Sequence, residues 1–137
     1  MTIVARGAFD VKLKPLTAYN QDEAAKFMRM SLDKQYQGDL EAVSQGEMLA
    51  AGTAGADPKG SGGYVAIEHV SGTLNGRKGT FSLQHNATMT RGEPYLNIIV
   101  VPGSGTGELD GLAGKMNIII TKGKHSYEFD YSLPAKP

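Results

Sequence analysis

The chain has 137 residues, enough for one domain that buries a core without a metal or a covalent staple. It has no cysteine, which excludes disulfides, thiolate metal sites and thiol catalysis. Its 14 basic and 14 acidic residues cancel, and with no Trp and only 4 Phe it offers neither the basic excess nor the stacking platform of a nucleic-acid surface.

No apolar run approaches the roughly eighteen residues needed to span a bilayer. The segment Met1 to Arg6 lacks the cationic and apolar blocks of a signal peptide, so a cytoplasmic location is the expectation. The 18 glycines sit mostly at turns, as an all-β chain requires.

Thr2 to Lys14 alternates, with Phe9, Val11 and Leu13 opposite Asp10, Lys12 and Lys14; this is the period of a half-buried strand ending at Pro15. Pro15 to Lys26 is polar and irregular, with Asn20 to Lys26 either a helical turn or an extended lead-in. Phe27 to Gln35 alternates again, placing Met28, Met30 and Leu32 on one face. Gly38-Asp39 marks a turn. Leu40 to Ala51 reads as a strand with an irregularity at Gly46, and Gly52 to Gly63 as a loop. Tyr64 to Val70 is a strand that Ser71-Gly72 is expected to bulge. Leu74-Asn75-Gly76-Arg77 is the strongest hairpin signal, because a type I′ turn needs positive φ at both central residues. Strands then follow over Lys78 to Thr90, Tyr95 to Val101, Met116 to Thr121 and His125 to Leu133.

Between the second and third of these lies Val101-Pro102-Gly103-Ser104-Gly105-Thr106-Gly107-Glu108-Leu109-Asp110-Gly111-Leu112-Ala113-Gly114. A dinucleotide fingerprint would need a helix after the glycines, and a P-loop would need Ser or Thr after Lys115. The β-branched run after Gly114 gives a strand instead, and Met116 breaks the P-loop pattern. Ser104 does not stand at a strand–helix elbow, so it is a weak nucleophile signal. The stretch reads as a shaped loop across a barrel end, with Leu109 and Leu112 on one apolar-faced turn that plugs it. About eight short strands joined by tight turns, with no helix able to cover a sheet, predict a single antiparallel eight-stranded β-barrel over residues 1–137.

Period-two reasoning turns Phe81, Leu83, His85, Ala87 and Met89 inward on one strand, and His125, Tyr127, Phe129, Tyr131 and Leu133 on the last. On the fourth strand neither Tyr64, Ala66, Glu68, Val70 nor the opposite set wins. The three histidines show no metal-ligand spacing, and no metal or cofactor is expected.

Several of these stretches resemble a known family. Gly105 to Gly114 looks like the G-x-G-x-[FL]-x-G-x-x-G loop of allene oxide cyclase and dirigent barrels. Gly63 to Glu68, Gly72 to Phe81, Leu83-Gln84-His85, Val101 to Gly107 and His125-x-Tyr127-x-Phe129-x-Tyr131 resemble the bacterial family called domain of unknown function 3224. The resemblance implies an allene-oxide-cyclase-like barrel and draws attention to Tyr64 and Glu68. It brings no function with it.

The sequence therefore points to a cavity lined by Met28, Met30, Phe81, Leu83, Phe129 and Tyr131, with Tyr64, Glu68, His85 and Tyr127 among them. Such a cavity suits a small apolar or amphipathic ligand. Two alternatives stand beside it. One is a cyclase or isomerase acting on an apolar substrate, with Glu68 and His85 moving a proton. The other is a self-associating structural barrel with a filled core. On the plainest reading of the two polar residues, His85 donates to a backbone or side-chain acceptor and fills space, and Glu68 faces solvent or pairs with a Lys or Arg. Runs such as Ile98 to Val101 and Ile118 to Ile120, apolar on both faces, suggest an outer wall covered by a homo-oligomer.

Overall fold

The computed structural model describes residues 2–52 and 60–134, and the Gly52 to Gly63 loop expected from sequence falls mostly outside them. The strands are β1 (Ile3–Leu16), β2 (Met28–Gly38), β3 (Leu40–Gly52), β4 (Gly62–Leu74), β5 (Arg77–Thr90), β6 (Glu93–Val100), β7 (Ala113–Thr121) and β8 (Lys124–Ser132). Each pairs antiparallel with the next, and β8 pairs with β1, closing the barrel. Closure leaves the sheet with no first or last strand, so neither outer edge of an open eight-stranded sheet remains. The helical content of the described residues is two single 3₁₀ turns, Glu23–Ala25 and Gly107–Leu109.

The turns behave as their residues dictate. Asn75 (φ 47°) and Gly76 (φ 81°) take the left-handed conformations of the type I′ hairpin, and Arg91-Gly92 and Lys122-Gly123 do likewise. The Asn20 to Lys26 segment resolves into the 3₁₀ turn at Glu23–Ala25, where the Asp22 carboxylate accepts from the Ala24 amide at 2.9 Å.

Three expectations are corrected. β1 runs through Pro15 to Leu16, because β8 accompanies β1 only as far as Ala8, and proline is tolerated on the unaccompanied side beyond it. Gly46 and Ser71-Gly72 interrupt nothing: the ladder runs unbroken through Leu32↔Gly46↔Glu68 and Ser71↔Thr80. Those glycines mark close backbone approach instead. A Cβ on Gly46 would collide with the Ile67 carbonyl, and one on Gly72 with that of Glu41.

In an up-and-down barrel alternate turns fall at opposite ends. One end carries the Gly38-Asp39 and Asn75-Gly76 turns and the glycine loop, and it is closed. The loop leaves β6 at Val101 and runs beside the first half of β5, where β6 no longer pairs. Its Val101 and Thr106 amides donate to the Ser82 and Thr80 carbonyls at 2.9 Å each. The Ser104 and Thr106 hydroxyls accept from the Ser82 and Thr80 amides at 3.0 and 3.1 Å. Ser104 thus serves as a fastener. Leu109 and Leu112 point into the barrel end, both nearly fully buried, over a core that includes Leu40, Leu74, Phe81, Phe129 and Tyr131. Phe81 and Phe129 stack at 5.8 Å, a geometry that adds to their area burial.

Tyr127 locks this end. The Leu40 amide donates to its hydroxyl at 2.9 Å, and the hydroxyl donates to the Gln37 carbonyl at 2.8 Å, tying β8 to both sides of the β2–β3 turn. Gly7 must lack a side chain here, since a Cβ would meet the Gln37 carbonyl and the Tyr127 hydroxyl. Tyr127→Phe leaves the buried Leu40 amide without its acceptor, and is expected to lower the unfolding free energy by about 1–3 kcal/mol in a urea titration. An unchanged midpoint would remove Tyr127 from this role.

The two double-sided apolar runs are covered to different extents. Ile98 and Val100 are buried in the core, Ile99 and Val101 are half-buried, and Ile119 and Ile120 are exposed.

Candidate functional site

The register places inward residues in rungs around the barrel wall. Descending from the other end, the mouth, the first is Met28–Ala50–Tyr64–Ala87–Leu96. The second is Met30–Met48–Ala66–His85–Ile98, the third Leu32–Gly46–Glu68–Leu83–Val100, and the fourth Lys34–Ser44–Val70–Phe81. Ala50 and Ala87 in the first rung and Ala66 in the second leave room near the mouth, whereas the loop end is packed by Phe81, Leu109, Phe129 and Tyr131. The mouth is therefore hollow above a solid floor. Its cavity measures about 840 Å³, and Met28, Met48, Tyr64, Ala87, Met89 and Leu96 are among its walls. Lys26, Phe27 and Tyr95 stand at its rim. β6 and β7 pair only at Ile98↔Met116 and Ile99↔Lys115, so the β6 wall of the mouth, Glu93 to Asn97, has no β7 partner.

The β4 ambiguity resolves in an unexpected direction. Tyr64, Ala66, Glu68 and Val70 face inward, while Val65 and Ile67 are about half exposed on the outer wall. Glu68 is fully buried. A buried carboxylate survives only with donors on its oxygens, and Glu68 has four. Tyr36 OH, in a short bond, and Ser44 Oγ at 2.9 Å donate to Oε1. Lys34 Nζ at 2.8 Å and His85 Nε2 at 2.6 Å approach Oε2. The Lys34 ammonium is buried as well and lies 5.0 Å from the centre of the Phe9 ring. No buried side-chain nitrogen or oxygen among the described residues lacks a partner.

These contacts set the protonation state. Burial pushes the Glu68 carboxyl up, but the His85 hydrogen bond and the Lys34 charge outweigh it and lower it from 4.5 to about 2. Glu68 is an anion at neutral pH. Burial and then the Glu68 charge push the Tyr36 hydroxyl well above its ordinary value, and the same two causes raise Tyr64. Burial also raises Tyr127, against the lowering effect of the Leu40 amide. Because an ionised carboxylate only accepts, the hydrogen between Glu68 and His85 belongs to Nε2.

Of the residues singled out from sequence, the structure brings Tyr64 to the mouth cavity and joins Glu68 and His85 in the floor beneath it. Met30 lies in the His85 rung. Phe81, Tyr127 and Tyr131 belong to the packed end, away from the cavity. Tyr131 accepts there from the Asn75 side chain at 2.6 Å and steadies the hairpin. Sequence reasoning missed Lys34, Tyr36 and Ser44. A signal was present, since Lys34 and Tyr36 continue the inward phase of Met28, Met30 and Leu32, and a lysine in that phase demands an internal anion. The histidines are dispersed: His69 lies on the outer wall near Ser82, and His125 packs at 5.3 Å on Phe9. Among the described residues no helix is long and apolar enough to cross a membrane.

The family model for a protein of unknown function (DUF3224) matches residues 5–131. A crystal structure of a protein with unknown function from that family, from Shewanella oneidensis MR-1, is similar to this chain at 50% sequence identity and a TM-score of 0.92, covering 99% of this chain and 100% of that one. No curated protein matches. With a family model spanning most of its length and a half-identical barrel beside it, the chain belongs to the DUF3224 family.

Proposed function

We propose that the protein binds a small apolar or amphipathic molecule in the mouth of its barrel. The observation that carries this reading is the concave space of about 840 Å³, walled almost wholly by apolar groups over a closed floor. That volume lies within the roughly 300–1,000 Å³ range of small-molecule sites. Two further features support it. Phe27, Met28, Met89 and Tyr95 stay exposed around the mouth, an apolar rim that a folded chain would otherwise hide. Met28, Met48 and Met89 supply flexible, polarisable walls that adapt to varied shapes. A proton-moving role for Glu68 itself has no such support, because both of its oxygens are already engaged.

Filling the space tests the reading. Ala87 faces Tyr64 and Leu96 across the first rung, so Ala87→Trp puts an indole into the cavity from its wall. Titration with the fluorescent apolar probe N-phenyl-1-naphthylamine should show saturable binding to the wild type. The variant should bind about tenfold more weakly or not at all, while its unfolding midpoint holds. Equal binding by both proteins would place the probe elsewhere and sink the proposal.

A further inference from the structure

Among the described residues lining the mouth, Lys26 alone is charged, and its ammonium forms neither an ion pair nor a hydrogen bond with the other described residues. Its backbone is left-handed, φ 48° and ψ 44°, at the end of the Glu23–Ala25 turn. The other non-glycine residues in that conformation, Asn75, Arg91 and Lys122, each open a two-residue hairpin turn that requires it. No hairpin requires it of Lys26, where glycine or asparagine would adopt it more easily. Strain of this kind collects at working sites rather than in plain connections.

The lysine stem lies over the inside of the mouth. Gly52 continues the inward phase of Met48 and Ala50 on β3. A Cβ on Gly52 would meet Lys26 Cβ at 3.5 Å and Cδ at 3.6 Å, so the stem occupies the space of an inward side chain. Gly52 pairs with Gly62, one rung above Ala50 and Tyr64. A rung is two residues, about 7 Å along a strand. Tyr64 lines the mouth at that lower level, and its hydroxyl forms no hydrogen bond with the other described residues. Burial and the Glu68 charge keep it a phenol, with a hydrogen to give.

We infer that Lys26 and Tyr64 together receive an anionic head group, and that the ligand of the mouth is an alkyl chain ending in a carboxylate. The inference rests on the reading of the mouth as a binding site and narrows it. One ammonium and one hydroxyl, a rung apart, match the charge and the two acceptor oxygens of a single carboxylate. The chain then lies on Met28, Met48, Met89 and Leu96. With its head at the rim, the anion also keeps away from the buried Glu68 carboxylate, whose counter-ion Lys34 is already engaged. A neutral head leaves the Lys26 charge unmatched, and a cationic one is repelled by it.

The experiment uses the full chain near neutral pH, with decanoate, 1-decanol and decylamine each competed against N-phenyl-1-naphthylamine in low and in high salt. For the wild type, the affinity ratio of decanoate to 1-decanol should fall as salt rises. Lys26→Met keeps most of the stem and loses the charge; it should weaken decanoate about fivefold and leave 1-decanol unchanged. Lys26→Glu should invert the order, so that decylamine outcompetes decanoate. Tyr64→Phe should weaken decanoate severalfold, and unchanged affinity there would remove Tyr64 from the head-group site. Lys26→Gly adds a readout that a structural lysine would move the other way. Relief of the left-handed strain should hold or raise the urea midpoint while the preference for decanoate is lost. A lowered midpoint with that preference intact makes Lys26 a residue of the fold and overturns the inference. So does a decanoate-to-decanol ratio that Lys26→Met and Lys26→Glu leave unmoved while both compounds still displace the probe; the mouth site then stands. Failure of the probe and of all three compounds to bind overturns both.

Discussion

Glu68→Leu should be among the most damaging single changes in the protein. It removes the anion that four donors share and leaves the buried Lys34 ammonium without a counter-ion. Breaking a buried pair from one side costs about 3–5 kcal/mol. Much of that loss belongs to the stranded charge, so adding Lys34→Met to Glu68→Leu should restore about 2 kcal/mol relative to the single variant. Recovery is incomplete because Tyr36, Ser44 and His85 still lack their acceptor. A double variant no more stable than the single one would show that the ion pair does not organise this floor. The same carboxylate sets an acid limit. Its value is lowered on folding from 4.5 to about 2, so it contributes stability fully above 4.5 and loses it as pH falls toward 2. Wild-type stability should decline steeply across that window, and the decline should flatten in the double variant.

Gly79→Ala should be comparably severe, through sterics rather than charge. Gly79 lies on β5 where the glycine loop crosses it. A Cβ there would collide with the Thr106 carbonyl and press on the Leu109 side chain at 3.2 Å. The obstructing atom is backbone held by the Thr106–Thr80 bond, so it cannot swing aside as a flexible side chain would. The expected loss is about 3 kcal/mol, the upper part of the usual overpacking range. Hydrogen exchange at the Thr106 and Val101 amides should quicken together as the loop lifts. Gly103→Ala is the internal comparison. Gly103 sits in the same loop at φ 77° with nothing near its Cβ position, so it should cost only the roughly 1–2 kcal/mol of a left-handed alanine. If Gly79→Ala proves no worse than Gly103→Ala, the loop does not press on β5.

The barrel was legible because its information is local. Alternation along each strand, the Asn75-Gly76 turn and the β-branched run after Gly114 each act within a few residues, and together they leave closure as the way to hide the edges. The glycine loop was readable for the same reason: Leu109 and Leu112 are spaced to share one face of a short turn. The site is a different kind of object. Lys34, Ser44, Glu68 and His85 come from four strands and meet only once the register is set. Alternation assigns a face but not a rung. It left β4 undecided because Val65 and Ile67 are more apolar than Tyr64, Ala66 and Glu68, yet they face outward. What turned β4 the other way was the Lys34 ammonium, Tyr36 and Ser44 already inside, a reward that the β4 sequence alone does not contain. Likewise the division of the lumen into a filled end and a hollow mouth depends on which alanines share a rung. That is why Phe81, Tyr127 and Tyr131 read as cavity residues and prove to be packing residues.

Methionine methyl NMR tests the account most directly. Met28, Met48 and Met89 line the mouth, whereas Met116 is buried in the core of the barrel. With ¹³C-methyl methionine and a saturating amount of decanol, contacts from the ligand chain should appear at the three mouth methyls and be absent at Met116. Contacts confined to other methyls, or spread evenly over all of them, would contradict a ligand seated above the Glu68–His85 floor.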